Sequence, residues 1–357
     1  MCSDGHGEAL APVDSIPLGA AWTGQVIDLE PVDSVSITTV CDNSVDIFLA
    51  DVGPARRMRA SSLLGPDQAH LPAPTLADGS VIDSPLAQHG FSAHLVVAKG
   101  PRRHTFLFDT GITPTGCVDN LRRLGLDPGD IEAIVCSHGH FDHTTGLSGL
   151  SRDLGSASLP VVIHPHFWAR RRIAVPGATP SELPSTSRRA LEEGGFAVIE
   201  GRQPSFLFER SVLVTGEVDR TNGFETGFDF HEAWRDGAWQ PDPLILDDQA
   251  VVINVAGKGL VVLTGCGHAG VINIVNYARR LTGVDRVYAV IGGFHLSGAR
   301  FEPRIGQTCD ALAAIAPEVV VPAHCTGWKA THALAARLPD AFIQSSVGTR
   351  FELASSP

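Results

Sequence analysis

Ser137-His138-Gly139-His140-Phe141-Asp142-His143 is the stretch from which the rest of the chain is read. It places four metal-capable side chains within six residues, directly behind the apolar run Ile131-Glu132-Ala133-Ile134-Val135-Cys136. That run reads as a short buried strand, and the glycine-bearing turn after it frees the backbone to aim imidazoles at one point. His138 and His140, two apart on extended chain, project to the same side. Asp142 and His143 follow where a helix is expected to begin, and so face a second point a few ångströms away. Two imidazoles on one ion, with a carboxylate and an imidazole on its neighbour, suit zinc or a similar first-row metal. A solvated histidine-rich loop has no need of this spacing.

The 357 residues, 43% of them hydrophobic, suffice for a large core. No run approaches the roughly 20 apolar residues of a membrane span. Met1 to Ala21 carries Asp4, His6, Glu8 and Asp14 and has no basic start, so a secretory signal is not expected and a cytoplasmic location is. With 27 basic and 39 acidic residues the formal charge is −12, which argues against nucleic acid as the main ligand. Arg170-Arg171-Arg172 is the densest basic cluster, enough to meet one small anionic substrate. The seven cysteines are scattered and odd in number, and read as reduced thiols rather than a disulfide framework. Cys41 and Cys136 are expected in the core.

Residues 1–34 read as an extended arm and 35–357 as one domain. Val35 to Val40 alternates as a strand, and 51–84 reads as a long surface loop near the mouth of the site. His94 to Ala98 and His104 to Phe108 form a hairpin about Lys99-Gly100-Pro101. Leu121 to Leu126 reads as a helix stopped by Pro128-Gly129-Asp130. Leu147 to Leu154 is a helix, and Leu159 to Ile163 is a buried strand that delivers His164 and His166. Residues 167–245, with short strands at 196–199 and 212–214, read as an insertion capping the site. The second half repeats the rhythm: a hairpin of 250–255 and 260–264, a helix over 271–281, and a strand at 286–291. A helix over 306–315, a strand at 319–321 and a helix near 331–338 complete it. A hairpin followed by helices and strands, twice over, predicts an α/β fold: a four-layer αββα sandwich of two mixed sheets with helices outside.

Together these residues resemble the metallo-β-lactamase fold superfamily over about 35–350. Phe108-Asp109-Thr110-Gly111 matches its first motif and the 138–143 cluster its HxHxDH motif. Thr264-Gly265-Cys266-Gly267-His268 and Pro322-Ala323-His324-Cys325-Thr326-Gly327 lie where its later ligands come. Within the superfamily the chain is similar to the branch of dihydropterin ribofuranosyl-aminobenzene phosphate synthase-like metal-dependent hydrolases. Val40-Cys41-Asp42-Asn43, Thr215 to Arg220, Asp247 to Ala250, Gly265 to Gly270 and Gly292-Gly293-Phe294-His295-Leu296 carry that likeness.

The resemblance implies two divalent metal ions, with Zn2+ the first expectation and Mn2+ or Fe the alternatives. His138, His140 and His268 would hold one, and Asp142, His143 and His324 the other, with Asp109 bracing the ligand loop. Cys266 stands where most members carry a bridging Asp. Three readings stay open: a thiolate ligand, a looser or mononuclear site, or a small buried thiol beside the metals. Asp142 would orient a metal-bound hydroxide, and His295 would contact substrate, donate to the leaving group or brace a ligand. Arg220 suits an anionic substrate group, with Glu217 and Glu225 shaping the cap. His164 and His166 read as structural, Asp247-Asp248 as a turn, and Trp168, Trp234, Trp239 and Phe228 as an apolar wall or as core. The expected activity is hydrolysis of small phosphoesters or related esters. The alternatives are the transfer reaction for which the branch is named, or a metal protein without turnover, a diiron electron carrier included. The partner is a small, anionic substrate, with neither nucleic acid nor membrane.

Overall fold

A computed structural model of the chain describes residues 24–59, 69–154 and 158–355. Two large sheets face each other. The first has eight strands in the order Phe196–Glu200, Leu159–Ile163, Ala133–Val135, Arg102–Phe108, Ser92–Lys99, Ser34–Cys41, Arg350–Ala354 and Ala55–Arg56. The second has six: Ser205–Leu207, Val212–Val214, Val251–Val255, Gly259–Thr264, Val287–Gly293 and Val319–Ala323.

Period-two alternation explains the layering. Val35, Ile37, Leu95, Val97 and Phe106 of the first sheet pack against Val251, Ile253, Leu263, Ile291 and Val321 of the second in one buried cluster. The other face of the second sheet (Val252, Val262, Val290, Val320) is covered by Ile274, Val275 and Leu281 of the helix Val271–Thr282, with Leu312 and Leu334 from later helices. The other face of the first sheet (Leu107, Ile134, Val161, Ile163) is covered by Val118 and Leu121 of Gly116–Arg123 and by Leu147 and Leu150 of Leu147–Leu154. Each sheet is thus buried on both faces, and the result is the expected αββα sandwich.

Several boundaries differ from the sequence reading. The helix expected at 121–126 runs Gly116–Arg123, because the left-handed Gly125 stops it before the proline does. Within 51–84, Ala55–Arg56 adds a strand to the first sheet, Arg57 is buried, and residues 60–68 lie outside the described residues. The strand Arg350–Ala354, which was not anticipated, pairs antiparallel with Ser34–Cys41. Of the proposed arm, 1–23 lies outside the described residues, whereas Leu29 and Val32 are buried and Val32 bridges to Val255. The segment 167–245 is no simple insertion: it gives Phe196–Glu200 to the first sheet, and Ser205–Leu207 and Val212–Val214 to the second. What stands apart is a small four-stranded sheet of Ser181–Glu182, Arg171–Ile173, His231–Arg235 and Ala238–Pro241.

That small sheet is tied to the sandwich by Arg171, only 1% exposed. Its guanidinium donates to Asp242 (Nε–Oδ2 3.2 Å) and to Asp247 (Nη1–Oδ2 3.1 Å), both buried. Removing one member of such a set leaves buried charge uncompensated. Arg171→Ala should therefore cost about 3–5 kcal/mol, read from chemical denaturation midpoints, with Arg171→Lys recovering only part because an ammonium cannot repeat the planar fork.

Candidate metal centre

Every candidate ligand lies at the carboxyl end of a core strand, where neighbouring parallel strands open a crevice. Arg102–Phe108 ends at Asp109, Ala133–Val135 leads into His138 and His140, and Gly259–Thr264 leads into Cys266 and His268. Val287–Gly293 leads to His295 and Val319–Ala323 to His324. The helix Phe141–Thr144 begins within the motif and presents Asp142 and His143. Gly139 is required there, since a Cβ would run into the Phe167 carbonyl. Asp109, His295 and His324 hold left-handed backbone, with φ of 59°, 43° and 49°.

The ligand atoms fall into two groups. In the first, His140 Nδ1 lies 2.9 Å from His138 Nε2 and 3.2 Å from His268 Nε2. In the second, Asp142 Oδ2 stands 3.3 Å from His324 Nε2 and 3.8 Å from His143 Nε2. Cys266 Sγ is 3.2 Å from His143 Nε2 and within 4.8 Å of ligand atoms in both groups. Tetrahedral zinc with bonds of about 2.0–2.1 Å would hold imidazole nitrogens roughly 3.3–3.4 Å apart. The first group sits just inside that spacing. Buried His324 Nε2, on the side of Asp142, makes no hydrogen bond among the described residues. Converging lone pairs and this orphaned nitrogen fit a cation, so the residues present suit a metal.

Outer contacts fix which nitrogen is free. Asp109, wholly buried, accepts from the Ser137 amide at 2.7 Å through Oδ1, and through Oδ2 from Ser137 Oγ and His143 Nδ1, both at 2.7 Å. This leaves His143 Nε2 facing the second group. Ser137 Oγ also lies 2.8 Å from His138 Nδ1, which leaves His138 Nε2 for the first. Burial, reinforced by neighbouring imidazoles, pushes His138, His140 and His268 well below the ordinary imidazole pKa, so they are neutral at pH 7. Burial also opposes a charge on His143, but Asp109 and Asp142 outweigh it and hold its pKa up at about 9. For Asp142, His143 and His324 overcome burial and keep the carboxyl below its usual range.

Other candidates have different roles. Arg220 does not face substrate: it is buried, and donates to the backbone oxygens of His268 (3.0 Å) and Leu244, bracing a ligand loop. Glu225 accepts from the Ile272 and Asn273 amides at the start of the helix Val271–Thr282, and Glu217 lies 3.4 Å from His164 Nε2. Asp247-Asp248 is more than a turn. Asp247 accepts from the Gly139 amide at 2.8 Å and Asp248 from the Ala269 amide at 2.8 Å, so adjacent carboxylates hold both ligand loops. Burial pushes Asp248 up to about 7. Arg170, Arg171 and Arg172 are all paired with carboxylates and offer no open basic patch. Trp234 and Trp239 pack on each other beneath Arg170, and Trp168 donates to Glu200. Phe228 does approach it, 5.8 Å from the His295 ring. His295 in turn lies 4.3 Å from His268, ring to ring. Cys41 and Cys136 are core residues, and Cys41, Cys117, Cys136, Cys266, Cys309 and Cys325 are all free thiols.

Two histidines escaped the sequence reading. His89, mostly exposed, places Nε2 3.9 Å from Asp142 Oδ2 at the mouth. His231, fully buried on the small sheet, places Nε2 2.9 Å from His140 Nε2. Neither sits in a patterned cluster, so only the fold brings them in.

The metallo-beta-lactamase superfamily model matches residues 91–272. A 7,8-dihydropterin-6-methyl-4-(beta-D-ribofuranosyl)-aminobenzene-5'-phosphate synthase of Methanocaldococcus jannaschii is 31% identical over 255 residues, 68% of this chain and 83% of that protein. The chain belongs to the metallo-beta-lactamase superfamily. An uncharacterized protein from the same organism is 30% identical over 261 residues, 71% of this chain and 90% of its own length. The crystal structure of Tm1679, a metal-dependent hydrolase of the beta-lactamase superfamily, matches with a TM-score of 0.64 at 21% identity, covering 90% of this chain and all of that one. Among the described residues no helix is long and apolar enough to cross a membrane.

His166 tests the structural side of the site. Burial, with His164 adding to it, lowers its pKa to about 4, and Arg202 Nη2 donates to its Nε2 at 3.0 Å. Its folded value lies below the unfolded value of about 6.5, so the unfolded chain takes up the proton first. Its contribution to stability should be lost as pH falls from about 6.5 towards 4. His166→Gln, which keeps an acceptor for Arg202, should lose less stability than the native chain between those values, read from urea midpoints.

Proposed function

We propose that this chain is a metal-dependent hydrolase of small phosphoesters or related esters, built on a two-cation centre. The supporting observation is the convergence of His138, His140 and His268 on one point and of Asp142, His143 and His324 on another, with Cys266 between them. Imidazole, carboxylate and thiol donors together favour zinc over magnesium or calcium, with manganese or iron as alternatives. Cys266, whose thiol is pushed up by burial, would give its sulfur to a bound cation on losing its proton, where a carboxylate is the usual donor.

Divalent cations at such a centre supply Lewis-acid polarisation and acidify a bound water to near neutrality. The protein's share is placement. Three neutral imidazoles present lone pairs without a proton to displace. Asp142, whose side chain is 14% exposed, reaches the open side and would accept a hydrogen bond from the attacking water, setting its direction. His295 donates to the substrate or to its departing oxygen. Two bound dications would outweigh Asp142, an ionised Cys266 and one hydroxide together, and the remaining positive charge would suit an anionic substrate.

The M. jannaschii relative is named a synthase, and that favours one second reading: group transfer between a dihydropterin and a phosphorylated ribofuranosyl-aminobenzene partner.

Metal analysis of the purified protein should find two first-row ions per chain. Activity on bis-p-nitrophenyl phosphate or p-nitrophenyl esters should vanish on chelation and return with Zn2+. His140→Ala should lower kcat/KM by about 100-fold or more, beyond the roughly 10–100-fold typical of losing an outer partner. A fully metallated protein that cleaves neither ester class but joins the two transfer substrates would replace this reading with the second.

A further inference from the structure

The position of His231 carries a consequence for the small sheet. A metal-bound histidine ordinarily donates its second ring N–H to a carboxylate, a carbonyl or water. His143 follows that rule through Asp109. His140 does not: its outer nitrogen, Nε2, meets another imidazole, His231 Nε2, at 2.9 Å. The carboxylate comes one step later: Asp242 Oδ2 lies 3.8 Å from His231 Nδ1, beyond hydrogen-bond reach, and acts on it through its charge. Asp242 is itself held by Arg171 Nε at 3.2 Å and by Arg235 Nη2 at 2.6 Å. All of His231, Asp242 and Arg171 are buried.

With both rings neutral, proton placement along this chain has two settings. In one, His231 carries its proton on Nδ1, towards Asp242, and its bare Nε2 accepts the Nε2–H of His140. The Nδ1 lone pair of His140 then points at His138 and His268. In the other, His231 turns a bare Nδ1 towards a carboxylate that two guanidiniums keep ionised, which is repulsive. His140 then carries its own proton on Nδ1, inside the ligand group. Asp242 therefore selects the setting that leaves His140 ready to bind a cation.

We propose that His231 is a positioning residue of the metal centre, fixing His140 in its metal-binding tautomer and making the small four-stranded sheet part of the first metal position. It rests on the two-cation reading above. Because one contact serves both, cation binding at that position and docking of the His231–Arg235 strand strengthen each other.

Zinc is titrated into metal-free protein against a chromophoric chelator, for the native chain, His231→Phe and His231→Gln. His231→Phe should weaken one of the two zinc equivalents by about 10–100-fold and leave the other unchanged. His231→Gln, with an acceptor for His140 and a donor for Asp242, should restore most of the loss. A merely structural role would lower the melting temperature of His231→Phe without singling out one equivalent, and that result overturns the proposal. So does a His231→Gln protein no better than His231→Phe. Should His231→Phe fail to fold, hydrogen exchange on the native chain decides: zinc should slow exchange across 231–235, and unchanged exchange overturns the proposal. A native chain that binds no zinc defeats the two-cation reading itself, whereas two native equivalents insensitive to His231→Phe defeat only the role of His231.

Discussion

Imidazole nitrogens that face each other across about 3 Å in a dry interior need something between them. Each can pair with one proton at most, and a protonated ring is costly where water is excluded. His138, His140 and His268 are in that position, with Asp142, His143 and His324 close beside them. The architecture behind them exists to keep the rings there. Asp109, Asp247 and Asp248 accept from Ser137, Gly139 and Ala269, so the loops that carry the ligands are tied down by buried carboxylates. Asp109 is offset by His143 and Asp247 by Arg171, whereas burial pushes Asp248 up to about 7.

This arrangement separates two tasks that are easily merged. Strand ends deliver the ligands, and strand ends are fixed by core packing between the sheets. Orientation of each ring is a second matter, settled by the hydrogen bond on its far nitrogen. Asp109 orients His143, Ser137 orients His138, and the small sheet reaches His140 through His231. Arg171 serves both tasks, since it pairs with the carboxylate behind His231 and with the one that holds Gly139. A change in the small sheet is thus felt at the ligands without any ligand being altered.

The family relationship is consistent with this picture and narrows the chemistry less than the geometry does. The M. jannaschii relative is named for a synthase, and Tm1679 at 21% identity speaks to the fold alone. Cys266 stands where the superfamily resemblance implies a bridging Asp. Its thiol stands between both ligand groups, where a softer donor would favour zinc-like ions over hard oxygen-loving ones.

Much of this was legible in the sequence, and the reason is locality. Period-two apolar runs announce strands, and Gly257-Lys258-Gly259 marks a hairpin. Four metal-capable residues in six announce a centre because their geometry is set by a few backbone angles. Asp109, His268 and His324 came from the family resemblance, whose motifs fall just after strands that the apolar runs make readable. Arg220 was misread because its identity suits an anion, while its burial against the His268 and Leu244 carbonyls depends on packing that no local pattern encodes. Asp247-Asp248 looked like a turn for the same reason. His231 lies 91 residues from His140, and Asp242 71 from Arg171. The sequence by itself determined the sandwich and the metal-binding motif, because both rest on short-range periodicity and spacing. Only the tertiary structure decided what holds each ring in place, because those partners meet through the docking of separate sheets.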